Sequence, residues 1–307
     1  MPPHVFAVDR EQLRYGRFVR SAQGFEVEEY RVVGLPPDLL GGGPLGGAMR
    51  DPLLLRAPLR DLMAQISTPV KEASLVLPDA WLRLTFAESD ELPRAAEQRQ
   101  EILRWKLRRL VPFRVEDLRL DGLQVRPLAH QEQARRILLG FAIELLVRQL
   151  EEAFGAVGVH IGQISNQSLS LLEAVRDALR DVELGAVVLV SGEGYSLVFS
   201  LRSEPVLHRF KPVSPSLAEE TSERLVVRDL RLTRGFLGEQ IPGARLGRIL
   251  LVCPGESASA WIGWLERAFE LPAFAVGWEH LPVAGRPASA PLEEAAPLIG
   301  AARRMVA

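Results

Sequence analysis

The chain has 307 residues, of which 47% are hydrophobic and 25% charged, and its formal net charge is −2. This composition is typical of a globular protein with one large domain or two to three smaller ones, and it lacks the broad basic excess of a general nucleic-acid binder. The single cysteine, Cys253, excludes an internal disulfide, and the five scattered histidines show no spacing typical of a metal site.

The sequence predicts neither a signal peptide nor a membrane-spanning helix. The N-terminal stretch "MPPHVFAVDREQLRYGRF" lacks a basic segment followed by an apolar core. The longest apolar region, "ILLGFAIELLV", is interrupted by Glu144 and is shorter than the roughly 18 residues needed to span a bilayer. We therefore expect a cytoplasmic protein that reaches a membrane only through a partner.

The first elements are two short stretches of strand, residues 5–8 and 16–33, which alternate in character. A breaker, "GLPPDLLGGGPLGGAMRDP", follows them. Its five closely spaced glycines predict a loop, because such a stretch cannot pack a core; they are Gly41, Gly42, Gly43, Gly46 and Gly47. The loop lacks the lysine and the Ser/Thr of a P-loop, which argues against a phosphate cradle.

The middle of the chain mixes helices and strands. Residues 58–66 favour a short helix, and "EASLVLPDAWLRLTF" favours two strands broken at Pro78. Residues 94–110 predict a helix, since Leu103, Leu107 and Leu110 share one face with Ile102 beside them, and Pro112 ends it. A strand in "LRLDGLQVRPL", a strand over 137–142 and a helix over 144–157 closed by Gly158 come next.

The second half repeats this alternation. A strand over 161–164 precedes a helix over 166–179, for which Ser165 or Asn166 can serve as the N-cap. Three strands in "GAVVLVSGEGYSLVFSLRSEPVLHRF" lead into a long helix over 217–237. The rest predicts, in order, a strand, a helix, a strand and a closing helix; the segments are "RILLVCPGE", "SASAWIGWLERAF", "AFAVGW" and "PLEEAAPLIGAARRMV". Helices alternating with strand clusters indicate an α/β protein with mixed sheets.

Several stretches in this order resemble the PilM family of actin-like type IV pilus assembly proteins, relatives of the cell-division protein FtsA. The resemblance covers roughly residues 4–306, and the ordered set carries it rather than any single motif. The segments that carry it are "SLVLPDAWLRLTF", "EILRWKLRRLVPFRVEDLRLDGLQV", "ILLGFAIELLVRQLEEAFGAVGVHIGQISNQSLSLLEAV", "ERLVVRDLRLTRGFL" and "PLIGAARRMV".

The resemblance implies an actin-like (ribonuclease H-like) α/β fold of two lobes with mixed sheets and a small inserted α+β subdomain. We expect the first lobe to comprise residues 1–68 and 136–180, the insertion residues 69–135, and the second lobe residues 181–307. Family members bind nucleotide between the lobes and bind the short N-terminal cytoplasmic tail of the membrane protein PilN beside the insertion. They form a ring beneath the inner membrane near the pilus assembly ATPases, so a homo-oligomer is a further expectation here.

The loops that would hold a nucleotide depart from the family's pattern. Asp9 is present but is followed by Arg10, Glu11 and Gln12 instead of glycine and a small hydroxyl residue. Where the family has Asp-x-Gly, this chain has Val190-Ser191-Gly192, and valine cannot ligate Mg²⁺. Glu193 adds negative charge before Gly194, and Pro254-Gly255 replaces the family's paired glycine in the adenosine loop. These positions are candidates for a vestigial site, while a plain hairpin turn at 191–194 is the alternative.

We therefore expect no ATP hydrolysis, no metal site, no catalytic residue and no required cofactor, with ATP and Mg²⁺ as the ligands to test. No "G-x-S-x-G" elbow supports nucleophilic catalysis by the serines at 165, 168 and 170. Two rival interpretations stay open. One is an active ATPase of the same fold; the other is the cytoplasmic part of a type II secretion platform protein, which would continue into a membrane helix.

A cluster at the end of the helix over 94–110 is the candidate partner surface. Its members are Trp105, Arg109, Val111, Pro112 and Phe113. Trp and Arg are favoured interface anchors, whereas the alternative is a solvated face of an amphipathic helix. Two further expectations are structural: Arg209 ties the hairpin strands to the long helix, and Trp261 and Trp264 pack in a core.

Overall fold

The computed structural model describes residues 4–21, 24–37, 39, 45, 47–89, 92–128, 135–213, 219–284 and 290–306. Of the five closely spaced glycines of the predicted loop, Gly41, Gly42, Gly43 and Gly46 lie outside the described residues and Gly47 lies within them. The strands are β1 (His4–Val8), β2 (Gln12–Ser21), β3 (Gly24–Gly34), β4 (Glu72–Leu77), β5 (Arg83–Ser89), β6 (Leu118–Val125), β7 (Arg135–Ile143), β8 (His160–Asn166), β9 (Leu184–Ser191), β10 (Gly194–Leu201), β11 (Glu204–Pro212), β12 (Leu246–Val252) and β13 (Ala273–Ala275).

Seven α-helices connect these strands in the described part of the chain. They are α1 (Arg56–Gln65), α2 (Ala96–Arg108), α3 (Glu144–Gly155), α4 (Gln167–Ala174), α5 (Glu219–Gln240), α6 (Ala258–Phe269) and α7 (Leu292–Val306). None of the described helices is both long enough and apolar enough to cross a lipid bilayer.

The first sheet has five strands in the order β3-β2-β1-β4-β8. Strands β1, β2 and β3 form an antiparallel meander, while β4 pairs in parallel with β1 and with β8. Leu59 of α1 and Phe154 of α3 pack in one core with Phe6 and Leu75 of the sheet. Helices α1 and α3 therefore cover one face of this sheet.

The second sheet repeats the plan with five strands in the order β11-β10-β9-β12-β13. Its outer core contains Leu230 of α5 together with Trp261 and Trp264 of α6, so the two tryptophans lie in a core as expected. Helices α4 and α7 lie between the two sheets and share a third core with both of them. The two helices touch so closely that a Cβ at Gly300 would lie 1.7 Å from the carbonyl oxygen of Ser170, which only glycine avoids.

A smaller sheet has the order β5-β7-β6 and carries α2 on one face. Its strands are antiparallel, and Leu103 and Leu107 of α2 pack on Ile137, Leu139 and Phe141 of β7. The division of the chain into two lobes and an insertion stays a prediction. Two strands, however, belong to a different sheet from the one that the predicted boundaries imply. Strand β4 belongs to the first sheet, and β7, assigned to the first lobe, is the central strand of the small sheet.

The local signals in the sequence explain how several elements begin and end. The side chain of Asn166 accepts a hydrogen bond from the backbone N–H of Leu169, so Asn166 is the N-cap of α4. Gly158 follows α3 with a positive φ of 82°. The helix predicted over 166–179 ends earlier, at Ala174, and a separate 3-10 turn covers Arg176–Leu179.

Candidate functional site

The turn after β1 uses the carboxylate of Asp9 to hold its own shape. One carboxylate oxygen accepts hydrogen bonds from the backbone N–H groups of Glu11 and Gln12, both at 2.8 Å. The other accepts a hydrogen bond from the guanidinium of Arg14, which is nearly buried. All of these contacts come from within the turn and from β2, so one carboxylate oxygen has two neutral donors and the other has a charged donor.

The turn between β9 and β10 is a two-residue hairpin connection, Gly192-Glu193. Ser191 Oγ donates to the carbonyl oxygen of Gly194 at 3.3 Å and accepts from the backbone N–H of Glu193 at 3.4 Å. Gly194 has a φ of 144°, and a Cβ there would lie 2.1 Å from the carbonyl oxygen of Lys211 on β11. The hairpin and its packing on β11 therefore account for Gly194 without a ligand.

The structure brings these two turns together through a charged contact that the sequence did not indicate. Arg10 Nε donates to Glu193 Oε1 at 2.6 Å. The indole N–H of fully buried Trp81 donates to the same oxygen at 3.2 Å. The facing tips of the two hairpins are thus joined by a side-chain ion pair, and the negative charge of Glu193 is anchored between them.

Gly255, the third element of the predicted nucleotide site, begins a 3-10 turn over Gly255–Ser257 after β12. A Cβ at Gly255 would meet no heavy atom within 4 Å, so packing does not require glycine there. Among the described residues, no group of three or more His, Cys, Asp or Glu side chains is arranged to hold a metal ion. The two turns do not fit a Mg²⁺-phosphate group, because the carboxylates of Asp9 and Glu193 are engaged by arginines and the first turn carries Glu11 as a further negative charge.

A buried polar cluster joins the two large sheets behind these turns. Asp79, which follows β4, accepts hydrogen bonds from Asn166 Nδ2 at 2.7 Å and from the backbone N–H of Ser168 at 3.0 Å. Its carboxylate also lies 3.1 Å from His208 Nε2 on β11 and accepts a hydrogen bond from the Ser168 hydroxyl. Because Asp79 and Ser168 belong to the first-sheet side and His208 to the second sheet, the cluster is a polar junction between the two halves.

His208 bridges the two halves through both nitrogens of its ring. Its Nδ1 lies 3.3 Å from the carbonyl oxygen of Leu84, which can only accept a hydrogen bond. Its Nε2 lies 3.1 Å from the Asp79 carboxylate and 3.1 Å from Ser168 Oγ. The ring thus connects the buried carboxylate to the backbone of β5.

The same cluster contains the residue types of a Ser-His-Asp triad but not their arrangement. Ser168 and Asp79 both contact His208 Nε2, whereas in a triad the carboxylate orients the nitrogen opposite the nucleophile. Ser168 has no solvent exposure. The cluster is structural, and sequence reasoning missed it because its members are 40 to 129 residues apart and no local motif links them.

A groove of about 440 Å³ lies between the small sheet and the edge of the first sheet. Leu138, Gly140 and Ala142 of β7 line it from the small sheet, on the face opposite α2. Residues 161–166 of β8 line it consecutively, which shows that the strand presents its edge. Arg304 of α7 completes the lining at one end.

The predicted partner residues lie elsewhere. Trp105 on α2 is 51% exposed, and the guanidinium of Arg109 stacks 4.8 Å from the centre of its indole ring. Val111 and Phe113 are half-buried against the core under α2, and Pro112 is exposed. None of these five residues lines the groove described above, because α2 covers the opposite face of the small sheet.

Arg209 forms the tie between the hairpin strands and the long helix that the sequence predicted. Its guanidinium lies 3.7 Å from Asp229 Oδ1 on α5. Lys211 reaches the same oxygen at 2.9 Å, and the Tyr195 hydroxyl donates to Asp229 Oδ2 at 2.8 Å. Three residues of the sheet therefore converge on one carboxylate of the helix.

Comparison with known proteins gives a structural likeness only. No protein-family model and no curated protein matches the sequence. The structure is similar to a PilM-PilN type IV pilus biogenesis complex, with 17% identity, a TM-score of 0.78 and coverage of 100% of this chain and 99% of the other. It is less similar to a Bacteroides thetaiotaomicron protein with an actin-like ATPase fold and unknown function, with 11% identity, a TM-score of 0.54 and coverage of 97% and 95%.

A third similar structure is the cytoplasmic domain of EpsL, an inner membrane component of the type II secretion system of Vibrio cholerae. It shares 13% identity at a TM-score of 0.53, over 100% of this chain and 96% of the other. Likeness at such identities establishes fold and not activity. The chain therefore has the actin-like α/β fold, with two lobes and mixed sheets.

Proposed function

We propose that this protein is a scaffold of a type IV pilus assembly platform that holds the N-terminal cytoplasmic tail of a PilN-like membrane protein. Its position would be cytoplasmic and peripheral to the inner membrane through that partner, close to the assembly ATPases. The groove between β8 and the small sheet carries the proposal, since its shape suits a short extended segment. The likeness to a PilM-PilN complex agrees with this role.

The edge of β8 supplies the backbone groups for such binding. Within the described residues β8 pairs with β4 alone, so its other edge presents unpaired N–H and C=O groups to the groove. An extended peptide can add to such an edge as a further strand, with main-chain hydrogen bonds giving affinity. Alternate side chains of the peptide would then point towards the small sheet.

The opposite wall of the groove is apolar and has room for those side chains. Leu138 and Ala142 provide apolar surface, and Gly140 between them has no side chain. A Cβ at Gly140 would meet only Leu84, at 3.5 Å, so the space above the glycine is open. This pattern matches an apolar residue of the tail seated over Gly140.

Arg304 adds a polar anchor at the end of the groove. It forms no ion pair or hydrogen bond with any residue that the structure describes, and burial lowers the pKa of its guanidinium. Arg119, by contrast, is held by Glu144 and Glu151, each at 2.7 Å. Arg304 therefore has free donors for a backbone carbonyl or polar side chain of the tail.

Absence of ATP hydrolysis is part of the proposal. Phosphoryl transfer depends on positioning and on charge stabilisation around a metal. The carboxylate of Asp9 is engaged by its own turn and by Arg14, and Glu193 is paired with Arg10. These pairings support a cleft that is held by protein contacts rather than by a nucleotide.

Calorimetry with a synthetic peptide tests the tail-binding role. The peptide should carry roughly the first dozen residues of a PilN-like membrane protein from the same organism, long enough to span the groove as an extended strand. We expect saturable binding, and we expect Gly140→Leu to weaken it at least tenfold because the leucine fills the space over β7. Circular dichroism of the variant verifies that the strand still folds.

Trp105→Ala is the matched control for the same titration. It removes an exposed side chain on the other face of the small sheet and should leave affinity unchanged. If Trp105→Ala weakened binding while Gly140→Leu did not, the tail would bind at the Trp105 cluster. No binding of either the peptide or the full tail would exclude the scaffold role.

A type II secretion platform role is the second candidate, favoured by the likeness to the EpsL cytoplasmic domain. It differs in the identity of the partner and not in the fold. The same titration with tails from both kinds of system distinguishes them, since a groove fitted to one tail should discriminate by tenfold or more, or about 1.4 kcal/mol.

A further inference from the structure

The outward face of α5 combines exposed apolar residues with unpaired arginines. Val226, Leu230 and Leu237 are buried against the second sheet, which fixes the opposite face of the helix towards solvent. On that face Leu232 is 62% exposed, Leu225 41% and Phe236 40%. Leu225 and Leu232 are seven residues apart, and Leu232 and Phe236 are four apart. The three side chains therefore form one stripe along three helical turns.

Three arginines flank the stripe, and one of them, Arg231, interacts electrostatically with Glu270 at longer range. Arg224, Arg228 and Arg231 form no salt bridge with any residue in the described part of the chain. Nearby arginines differ: Arg234 pairs with Glu270 at 2.9 Å, and Arg267 pairs with Glu223 at 2.6 Å. The unpaired guanidiniums therefore give this face a local positive charge on a chain whose net charge is −2.

A shallow groove of about 770 Å³ runs beside the same face. Leu232 and Phe236 line it together with the three arginines, Glu223 and Glu239 of α5, and Arg267 of α6. Four arginines against two glutamates leave the groove positively charged. A helix laid in such a groove presents a row of side chains to it, and the positive charge favours a segment with acidic side chains.

We propose that this face of α5 docks an acidic amphipathic helix of a partner protein. The partner's apolar residues, spaced three and four apart, pack on Leu232 and Phe236, and its carboxylates bind the guanidiniums of Arg228 and Arg231 in the fork geometry that arginine favours. This surface lies on α5, which packs on the second sheet, and it shares no lining residue with the tail groove, so we expect both partners to bind one molecule.

A designed peptide tests the docking surface. The probe is a helical peptide of about 20 residues with leucines at i, i+4, i+7 and i+11 and glutamates beside them, labelled for fluorescence anisotropy. We expect saturable binding that weakens as salt is raised. Arg228→Glu combined with Arg231→Glu should weaken it at least tenfold, and Leu232→Ser at least threefold, with folding verified by circular dichroism.

Arg56→Glu combined with Arg60→Glu is the matched control, because it makes the same charge change four residues apart on exposed α1 of the other lobe. This control should bind the peptide as the unaltered chain does. A peptide with lysines in place of the glutamates should not bind.

Four outcomes would overturn the proposal. They are no binding of the acidic peptide; equal binding of the lysine peptide; binding to phosphatidylglycerol vesicles without binding to the peptide; and self-association of the chain that the Arg228→Glu/Arg231→Glu variant abolishes. The last outcome would identify the occupant of the surface as a second copy of the chain.

Discussion

Arg10 and Glu193, 183 residues apart in sequence, are joined by a hydrogen-bonded ion pair of 2.6 Å. Arg10 lies in the turn after β1, and Glu193 lies in the turn between β9 and β10. Each turn belongs to a different lobe, and the family resemblance predicts that both would face nucleotide phosphates. In this chain the two turns contact each other instead.

A double-mutant cycle on Arg10→Ala and Glu193→Ala should give a coupling energy of about 0.5–1 kcal/mol. The value stays modest because the Arg10 side chain is 42% exposed, although that of Glu193 is only 17% exposed. The coupling should shrink in high salt, since screening weakens partly exposed pairs. Urea unfolding of the four proteins measures it.

The pair Arg202–Glu183 is the reference for that cycle. Its atoms lie 3.4 Å apart and its side chains are 75% and 48% exposed. Its coupling should be about 0–0.3 kcal/mol. Equal coupling in the two cycles would mean that the contact between the lobes adds nothing beyond an ordinary surface pair.

ATP with Mg²⁺ should not bind with useful affinity, because the carboxylates of Asp9 and Glu193 are already paired with arginines. Titration of a fluorescent ATP analogue should show no saturation below about 1 mM. Omitting Mg²⁺ should leave the titration unchanged. Magnesium-dependent affinity in the micromolar range would establish a working nucleotide site.

His208→Ala should destabilise the protein by about 1–3 kcal/mol, because it leaves the buried Asp79 carboxylate without one of its hydrogen-bond partners. Asn166 and Ser168 still donate to Asp79, which limits the loss. Asp79→Asn combined with His208→Gln should cost less than the sum of the two single changes. His160→Ala, at an exposed histidine, should change stability by less than about 0.5 kcal/mol. A loss at position 208 no larger than at position 160 would contradict the buried pair.

Cys253 should be a slow nucleophile, because burial raises its pKa from 9.0 to about 11, with a further contribution from Glu293. At pH 8 the native thiol is then about 0.1% ionised against about 10% when unfolded, so a disulfide reagent should react about 100-fold more slowly with the native chain. If the reaction rate of the native chain rose with pH around a midpoint near pH 9, that result would contradict the raised pKa.

The same shift predicts a loss of stability in alkali. The folded chain binds the thiol proton more tightly than the unfolded chain, so this contribution is complete below about pH 9 and is lost as the pH rises towards 11. Cys253→Ser removes the contribution, and comparison of the two unfolding curves isolates it from the buried tyrosines, whose pKa values burial also raises. Parallel curves between pH 8 and 11 would count against it.

Local sequence patterns were sufficient to predict most helices and strands and the α/β class. Leu103 and Leu107 share a helical face and lie buried under α2, and the glycine after α3 has a positive φ. The hairpin strands from β9 to β11 follow the apolar runs of the sequence. Such features depend on residues that are close together in the sequence, so the sequence alone is enough to predict them.

The sequence by itself determined the alternation of helices and strands and the tie from Arg209 to the long helix. Only the tertiary structure decided that β7 belongs to the small sheet, that Asp79 meets His208, that Arg10 meets Glu193, and where the two grooves lie. The physical reason is distance along the chain: these relationships join side chains tens to nearly two hundred residues apart, and no local propensity or spacing encodes which distant surfaces will pack together.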